Sequence, residues 1–470
     1  MTTLQHDINT AYTAYAGCLA LRHGYARCLQ YAYGDQWADT PRDDIFYGPD
    51  GAVIDSTKPR VTHNLIRQIV AAIIGRYRTD HNATAMRRRA PFLAAERLAE
   101  LDARALETFL LSGCAVQRIC RENRGDGIAV HIDNVDPRRF FVNRHADPRG
   151  GDIHTIGMLH DMLPAEVINR FSGGSSYRAR LLAEHFEACN DNYDYVSDVT
   201  GIADSPAARA FLNGPHGKWR VIELWTLDAK PMLTCLDTDS GSSYAATPDT
   251  LGAIAADNAD RAAQGRGAVR VRTDLDIKWH YRYFAPDGTV IAEGDSPYAH
   301  RCHPYAVKLY PLAGGEVHPF VDGLIEQQCN INRLLSLVYH IMASSAKGAL
   351  LFPVSQLPKG WSWADIARQW SRPDSIIPIA GRTDQMPLQV SASGAADSAY
   401  RLLQLQLDLF KQASGASDAL MGRDVSAATG SDLYRQLSEN STIAIADLLG
   451  AFDDFISMRD TKASYLKSKH

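Results

Sequence analysis

The fold of this chain is organised by residues 318–351, which read HPFVDGLIEQQCNINRLLSLVYHIMASSAKGALL. Pro319 suits the first turn of a helix, where its missing N–H costs least, and Gly348 suits a helix end. Apolar side chains recur between them at steps of three and four, the period of one helix face: Val321, Leu324, Ile325, Ile331, Leu335, Val338 and Met342. The opposite face carries Glu326, Gln327, Asn330, Asn332 and Arg333. The pattern predicts an amphipathic helix of about 28 residues, roughly 40 Å long.

Composition limits the classes of function. A chain of 470 residues exceeds one ordinary core, so two or more substructures are expected. The formal net charge of −5 argues against a surface that grips nucleic acid over its whole extent. The eight cysteines form no CxxC pair, and neither a signal peptide nor an apolar run of membrane length is visible. We therefore expect reduced thiols, a cytoplasmic setting and no membrane partner.

The segments before the long helix predict an α+β body. A helix over 7–33 ends at Gly34, and a second helix runs from Leu65 to a stop at Gly75, with Thr62 or Asn64 as its N-cap. From Ala115 to Asn143 the sequence alternates with period two, and the turn at 123–127 predicts a hairpin. Residues 219–226 predict a further strand. A polar helix over 247–265 and a small β unit over 267–317 lead into the long helix. Helices over 399–413 and 432–455 follow it.

No motif predicts catalysis. The chain lacks a phosphate-binding GxxxxGK[ST] loop, a GxSxG nucleophile turn and an HExxH zinc motif. The run His300-Arg301-Cys302-His303 offers soft ligands, but no second ligand pair stands at a zinc-like spacing, so a buried thiol before a strand is the preferred interpretation. We predict no catalytic residues, no metal and no cofactor. The protein is expected not to be an enzyme but to have a structural or binding role.

Several short motifs, in this order, carry a resemblance to a known family. They are YGDQW at 33–37, RVTHN at 60–64 before the Ile-rich helix, DP at 136–137 before FFV at 140–142, GGE at 314–316, LIEQQ at 324–328 with Asn330, Asn332 and Ser336, SG at 414–415, Gly422 and ATGS at 428–431. Their order and spacing over residues 30–455 resemble the portal proteins of tailed bacteriophages.

The resemblance implies a phage portal fold with wing, stem, clip and a short crown. The segments would be the N-terminal part of the wing at 1–245, the outer stem helix at 246–266, the clip at 267–317, the inner stem helix at 318–345, the wing return at 346–413 with a tunnel loop near 386–397, and the crown at 414–470.

The resemblance also implies partners and a place in the virion. Portal subunits form a homo-oligomeric ring, usually a dodecamer, at one capsid vertex. The ring carries double-stranded DNA during packaging and ejection without reading its sequence. It also docks the large terminase subunit and the head completion or adaptor proteins, beside the major capsid and scaffolding proteins. The site of assembly would be the host cytoplasm.

A conduit should not hold DNA tightly, because each phosphate that Lys or Arg neutralises adds salt-sensitive affinity. The predicted channel lining is therefore polar: Glu326, Gln327, Asn330, Asn332, Arg333, Gln385, Ser391 and Ser393. The predicted stem packing between subunits uses Val321, Leu324, Leu335, Val338 and Met342, unless that stripe is ordinary core. Two other functions stay open at this point. One is a minor capsid or tail-adaptor ring, and the other is a metal-dependent nuclease.

Overall fold

The computed structural model describes residues 3–39, 45–47, 53–55, 60–85, 98–124, 127–191, 193–345, 349–351, 357, 359–370, 388–390, 393–415, 443 and 445–467. The helices are α1 (Thr3–Gly17), α2 (Leu19–Tyr33), α3 (Leu65–Ala85), α4 (Leu98–Ser112), α5 (Pro164–Phe171), α6 (Ser176–Asp191), α7 (Tyr193–Thr200), α8 (Pro206–Leu212), α9 (Leu251–Ala263), α10 (Asp322–Ser345), α11 (Trp363–Trp370), α12 (Ser393–Ser414) and α13 (Ala446–Lys467). The strands are β1 (Ile45–Tyr47), β2 (Val53–Asp55), β3 (Cys114–Arg124), β4 (Gly127–Asn134), β5 (Phe140–Val142), β6 (Thr155–Met162), β7 (Trp219–Asp237), β8 (Ser243–Ala246), β9 (Val269–Phe284), β10 (Val290–Asp295), β11 (Tyr305–Leu309), β12 (Leu312–Ala313), β13 (Glu316–Val317), β14 (Ala349–Leu351) and β15 (Leu388–Val390).

These helices and small antiparallel sheets agree with the predicted α+β class. The chain divides into two compact units. Unit 1 comprises Met1–Tyr25, Ala83–Pro319 and Leu448–His470, and unit 2 comprises Ala26–Asn82 and Phe320–Asp447. These units do not follow the predicted segment boundaries, and the names wing, stem, clip and crown stay predictions.

Unit 1 is built on a sheet of order β10-β9-β7-β6-β5, with β8 on the outer end of β7. Side chains of β7 alternate between its faces. Ile222 and Leu224 pack under α1, α7 and α8, and Trp225 packs on the opposite face among residues of β5, β9 and β11. Gly157 of β6 must be glycine, because a Cβ there would stand 2.1 Å from the carbonyl oxygen of Glu223.

Strands β7 and β9 continue beyond this core as a long two-stranded ribbon, paired from Ile222–Phe284 to Asp237–Val269. The predicted strand 219–226 is therefore longer. It runs through Pro231, which is tolerated because, among the described strands, none pairs with β7 on its other side there. Helix α9 confirms the predicted polar helix and covers the outer end of the ribbon through Ile254. The strands of 267–317 are not a sheet of their own, because β9 joins β7 and β11 joins β3.

A three-stranded sheet of order β11-β3-β4 completes unit 1, and β3–β4 is the predicted hairpin. Helices α4 and α13 pack together beside it, with the rings of Phe109 and Phe452 5.7 Å apart. Arg459 of α13 forms an ion pair with Asp102 of α4. The C-terminal helix is therefore part of the core of unit 1.

Two of the helix boundaries that differ from the prediction lie in the first 85 residues. The helix expected over 7–33 is broken at Cys18 into α1 and α2, because Arg22 Nη2 donates a 2.7 Å hydrogen bond to the carbonyl of Tyr15 and its guanidinium lies 3.6 Å from the Tyr15 ring. Helix α3 does not stop at Gly75 but reaches Ala85. An interior glycine costs only about 1 kcal/mol, and the continuing turn buries Tyr77.

In unit 2, α3 follows the cap residue Asn64, whose Oδ1 accepts from the N–H of Arg67 at 2.9 Å. Helices α10 and α12 pack against each other. The predicted tunnel loop near 386–397 is not one loop, since it contains β15 and the first residues of α12. Residues 376–379, whose sequence predicts a further strand, lie outside the described residues.

Candidate functional site

The predicted long helix is confirmed as α10, which has 24 residues and begins at Asp322 rather than at Pro319. At 1.5 Å per residue it is about 36 Å long. Asp322 lies in its first turn, where a negative charge is favourable, and pairs with Arg27 Nη1 at 3.4 Å. Both side chains of this pair are about half exposed, so the pair adds little stability.

Three polar side chains project from one face of α10 at steps of four residues: Gln328, Asn332 and Ser336. All three bind the backbone of the segment that leads into α3. Gln328 Oε1 accepts from the N–H of Leu65 at 3.0 Å, and its Nε2 donates to the carbonyl of His63 at 2.8 Å. Asn332 Oδ1 accepts from the N–H of His63 at 3.1 Å, and Ser336 Oγ accepts from that of Val61 at 2.9 Å. We call these three residues and Gln36 the amide clasp.

Gln36 connects the clasp to the end of α2. Asn332 Nδ2 donates to Gln36 Oε1 at 2.6 Å, and Gln36 Nε2 donates to the carbonyl of Tyr31 at 2.6 Å. The cap residue Asn64 reaches the same helix end, donating to the carbonyls of Tyr31 and Ala32. Gln36, Gln328 and Asn332 are buried at 3%, 0% and 2% exposure. The clasp thus satisfies backbone groups that a buried helix junction would otherwise leave unpaired.

This burial corrects three sequence predictions. Asn332 was predicted to line a channel, but its amide is enclosed and fully engaged in the clasp, so it cannot contact DNA. Val321 and Leu324 were predicted to pack between subunits, but they are 0% and 3% exposed within a single chain. These two residues are ordinary core.

The other residues predicted to line the channel either keep some access to solvent or lie outside the described residues. Glu326 and Arg333 are exposed, and Gln327 and Asn330 are half-buried. Gln385 and Ser391 lie outside the described residues, and Ser393 begins α12 with its side chain undescribed. Their contact with DNA stays a prediction.

Helices α10 and α12 both expose apolar side chains. On α10, Leu335 and Val338 are half-buried, and Met342 is 60% exposed. On α12, Leu402, Leu405 and Leu409 form one row at steps of three and four, exposed at 45%, 53% and 40%. Ala399, Leu403 and Phe410 of the same helix are buried on an adjacent face. The apolar arc of α12 is therefore wider than the part that the chain itself covers.

A family model described as phage P22-like portal protein matches residues 11–459, nearly the whole chain. The chain belongs to this family. Membership makes it a phage portal protein, a structural component of the capsid. No curated protein matches the chain. In the part of the chain that the structure describes, each helix is too short or too polar to cross a membrane.

This portal protein also encloses a charged network in unit 1, centred on Glu223 of β7. Its carboxylate accepts from His160 Nε2 at 2.6 Å and from Trp225 Nε1 at 2.7 Å. Arg118 Nε lies 3.3 Å from Glu223 Oε2 and forms an ion pair with it, but the N–H is not aligned for a hydrogen bond. Burial alone would raise the pKa of Glu223, but Arg118 and His160 hold it well below its usual range. Burial lowers the pKa of His160. Because Glu223 is 0% exposed, its carboxylate is enclosed by the protein and is not accessible to a substrate.

The run His300-Arg301-Cys302-His303 does not gather into a ligand set in the portal protein. His300 Nδ1 accepts from the N–H of Cys302 at 3.1 Å, and His303 Nδ1 accepts from that of Tyr305 at 3.2 Å. Burial lowers the pKa of both imidazoles, to about 4 for His300 and further for His303. The run lies directly before β11, as the preferred interpretation of the sequence had it, but the Cys302 thiol is half-buried rather than buried.

Proposed function

We propose that this portal protein forms a closed homo-oligomeric ring, a dodecamer in the virion, at one vertex of the capsid. The ring is the channel for double-stranded DNA in packaging and ejection. It docks the large terminase subunit and the head completion or adaptor proteins, with the major capsid and scaffolding proteins around it. Like subunits in such a ring meet through two different, complementary faces.

The observation that carries the ring is the apolar surface left on α10 and α12. Burying a leucine side chain contributes about 1.5–3 kcal/mol. A neighbouring subunit that covers this row of three exposed leucines would therefore gain binding free energy. Contiguous exposed apolar surface on a folded chain typically marks an interface. We assign Leu402, Leu405 and Leu409, together with Leu335, Val338 and Met342, to the contact with a neighbouring subunit.

Within this proposal, Glu326 and Arg333 of α10 line the DNA channel. They stand seven residues apart, two turns along one side of α10, and both are exposed. In a ring they give alternating tiers of negative and positive charge. Such a lining has little net attraction for phosphate, which suits a duplex that must slide. Gln327 and Asn330 add amides at the same level.

The test is the assembly state of purified protein. Wild type is expected to form rings with a central hole of duplex width in negative-stain images, and to sediment as a high oligomer. Leu405→Glu places a charge in the proposed interface and should shift the protein to monomers with an unchanged far-UV circular dichroism spectrum.

The matched control is Leu181→Glu, which changes another exposed helical leucine, on α6 of unit 1. It should retain rings. Wild-type protein that stays monomeric at every salt concentration would refute the ring. Rings of normal yield from Leu405→Glu would remove α12 from the interface.

A further inference from the structure

Unit 1 also contains a group of three titratable side chains that belong to none of the sequence motifs. His185 and Cys189 stand four residues apart on one face of α6, and Asp287 lies in the turn between β9 and β10. His185 Nε2 is 3.2 Å from Asp287 Oδ1 and 3.9 Å from Cys189 Sγ. All three ligand atoms lie within 4.8 Å of one another.

We propose that His185, Cys189 and Asp287 form a binding site for a divalent transition metal of the zinc class. Zinc bonds to nitrogen, oxygen and sulfur are about 2.0–2.3 Å long, so its tetrahedral ligands stand about 3.3–3.7 Å apart. The imidazole–carboxylate and imidazole–thiol distances already lie close to that range. Bringing Cys189 Sγ and Asp287 Oδ1 to that separation needs a movement of about 1.5 Å at most, because they lie within 4.8 Å of each other, and side-chain rotation can supply it.

The donor set selects the class of metal. A thiol and an imidazole are soft to borderline ligands that zinc, cobalt and copper accept, whereas magnesium and calcium require oxygen ligands. Cys189 is 5% exposed and Asp287 9% exposed, while the His185 side chain is one-third exposed. The metal would therefore enter beside His185 and keep one coordination position toward solvent.

The carboxylate is already held in position for this role. Asp287 Oδ1 accepts from the N–H of Thr289 at 3.1 Å, and Oδ2 accepts from its hydroxyl at 2.8 Å. Such supporting hydrogen bonds orient metal ligands and contribute to affinity. A proton is the competitor of the metal, because hydrogen bonds to Asp287 and Cys189 raise the pKa of the His185 imidazole to about 10. Bound metal would join α6 to the β9–β10 turn.

The test uses Co²⁺ as the probe, titrated into the full-length reduced protein. A cobalt–thiolate bond gives a near-ultraviolet charge-transfer absorption that carboxylates and imidazoles do not produce. We expect this band to saturate at one Co²⁺ per chain and to disappear when Zn²⁺ displaces it. Zn²⁺ should also raise the Tm in proportion to the logarithm of its concentration, since it binds only the folded state.

Variants separate this site from the other cysteines. Cys189→Ser should lose the band, and His185→Gln and Asp287→Asn should weaken Co²⁺ binding at least 10-fold, because altering even a supporting residue costs about 10–100-fold. Cys302→Ser is the matched control, since Cys302 also lies beside two histidines, and it should keep the band. No band in wild type, or a band that survives Cys189→Ser or is lost in Cys302→Ser, would overturn the proposal.

Discussion

At the scale of single residues, Asn332 should matter for stability rather than for DNA. Asn332→Ala leaves the N–H of His63 and Oε1 of Gln36 without their partner, and each buried unsatisfied group costs about 1–3 kcal/mol. We expect a loss of about 2–4 kcal/mol in the unfolding free energy of unit 2, measured by urea denaturation. Hydrogen exchange at the His63 amide should lose protection. Asn330→Ala on the same helix is the control and should stay within about 0.5 kcal/mol of wild type; equal effects of the two changes would contradict the clasp.

A second prediction at this scale concerns the buried charges of unit 1. Glu223→Gln leaves the guanidinium of Arg118 buried without its counter-charge, which typically costs about 3–5 kcal/mol. The double variant Glu223→Gln with Arg118→Met removes both charges and should recover much of that loss. The measurement is a double-mutant cycle on denaturant unfolding. Additive losses would show that the two side chains act independently.

The position of Gln328 in the sequence already indicated a buried polar contact, which the prediction of an amphipathic helix did not use. Gln328 lies within the apolar stripe, three and four residues from Ile325, Leu324 and Ile331, so its burial follows from the same period that predicted the helix. A polar residue inside such a stripe needs a polar partner. Asn332 was misplaced because residue type cannot distinguish an amide that faces water from one that faces another chain segment.

At the scale of elements, local pattern predicted α10, α9 and the β3–β4 hairpin, because each depends on contacts close in sequence. It did not predict that β7 and β9 are continuous, since their pairing joins residues up to 62 positions apart, as Ile222 with Phe284. The break at Cys18 likewise depends on a single side chain, Arg22, that competes for a helix carbonyl. The trio His185, Cys189 and Asp287 was missed for a related reason, because Asp287 is 98 residues from Cys189 along the chain.

Docking of α13 onto unit 1 should depend on pH through Lys462. Its Nζ donates to the carbonyls of His303 and Tyr305, and burial lowers its pKa from 10.5 to about 8. Between pH 8 and 10.5 the unfolded chain still binds the proton that the folded chain has released, so unfolding free energy rises with pH across that window. Below pH 8 the penalty for the buried charge is fully present.

The variant Lys462→Met removes this titration. The difference in unfolding free energy between wild type and Lys462→Met should grow by about 3 kcal/mol in favour of wild type from pH 7.5 to 10.5, since each pKa unit corresponds to about 1.4 kcal/mol. Lys462→Arg stays charged throughout, so its own profile should lack the rise. A constant difference between wild type and Lys462→Met would mean that Lys462 is not desolvated.

At the scale of the whole molecule, the order of short motifs was a better guide to the family than any single residue. Composition and charge excluded a protein that grips nucleic acid everywhere, but a match over residues 11–459 was needed to establish the portal family. The boundaries of the two compact units did not follow from the sequence, because each unit combines stretches that are distant along the chain.

The channel assignment gives the last prediction, and it rests on the ring. Glu326 is exposed, so Glu326→Lys should fold and assemble as wild type does. If Glu326 faces the duplex, each subunit then offers a new phosphate contact. Each neutralised phosphate makes the slope of log affinity against log salt more negative by about 0.9. The variant ring should therefore bind the duplex and slow its passage, so heads filled through it should contain less DNA than wild-type heads.

The control variant Glu326→Gln removes the negative charge without adding a phosphate partner and should package normally. Rings of Glu326→Lys that fill heads to wild-type DNA mass would place Glu326 away from the duplex.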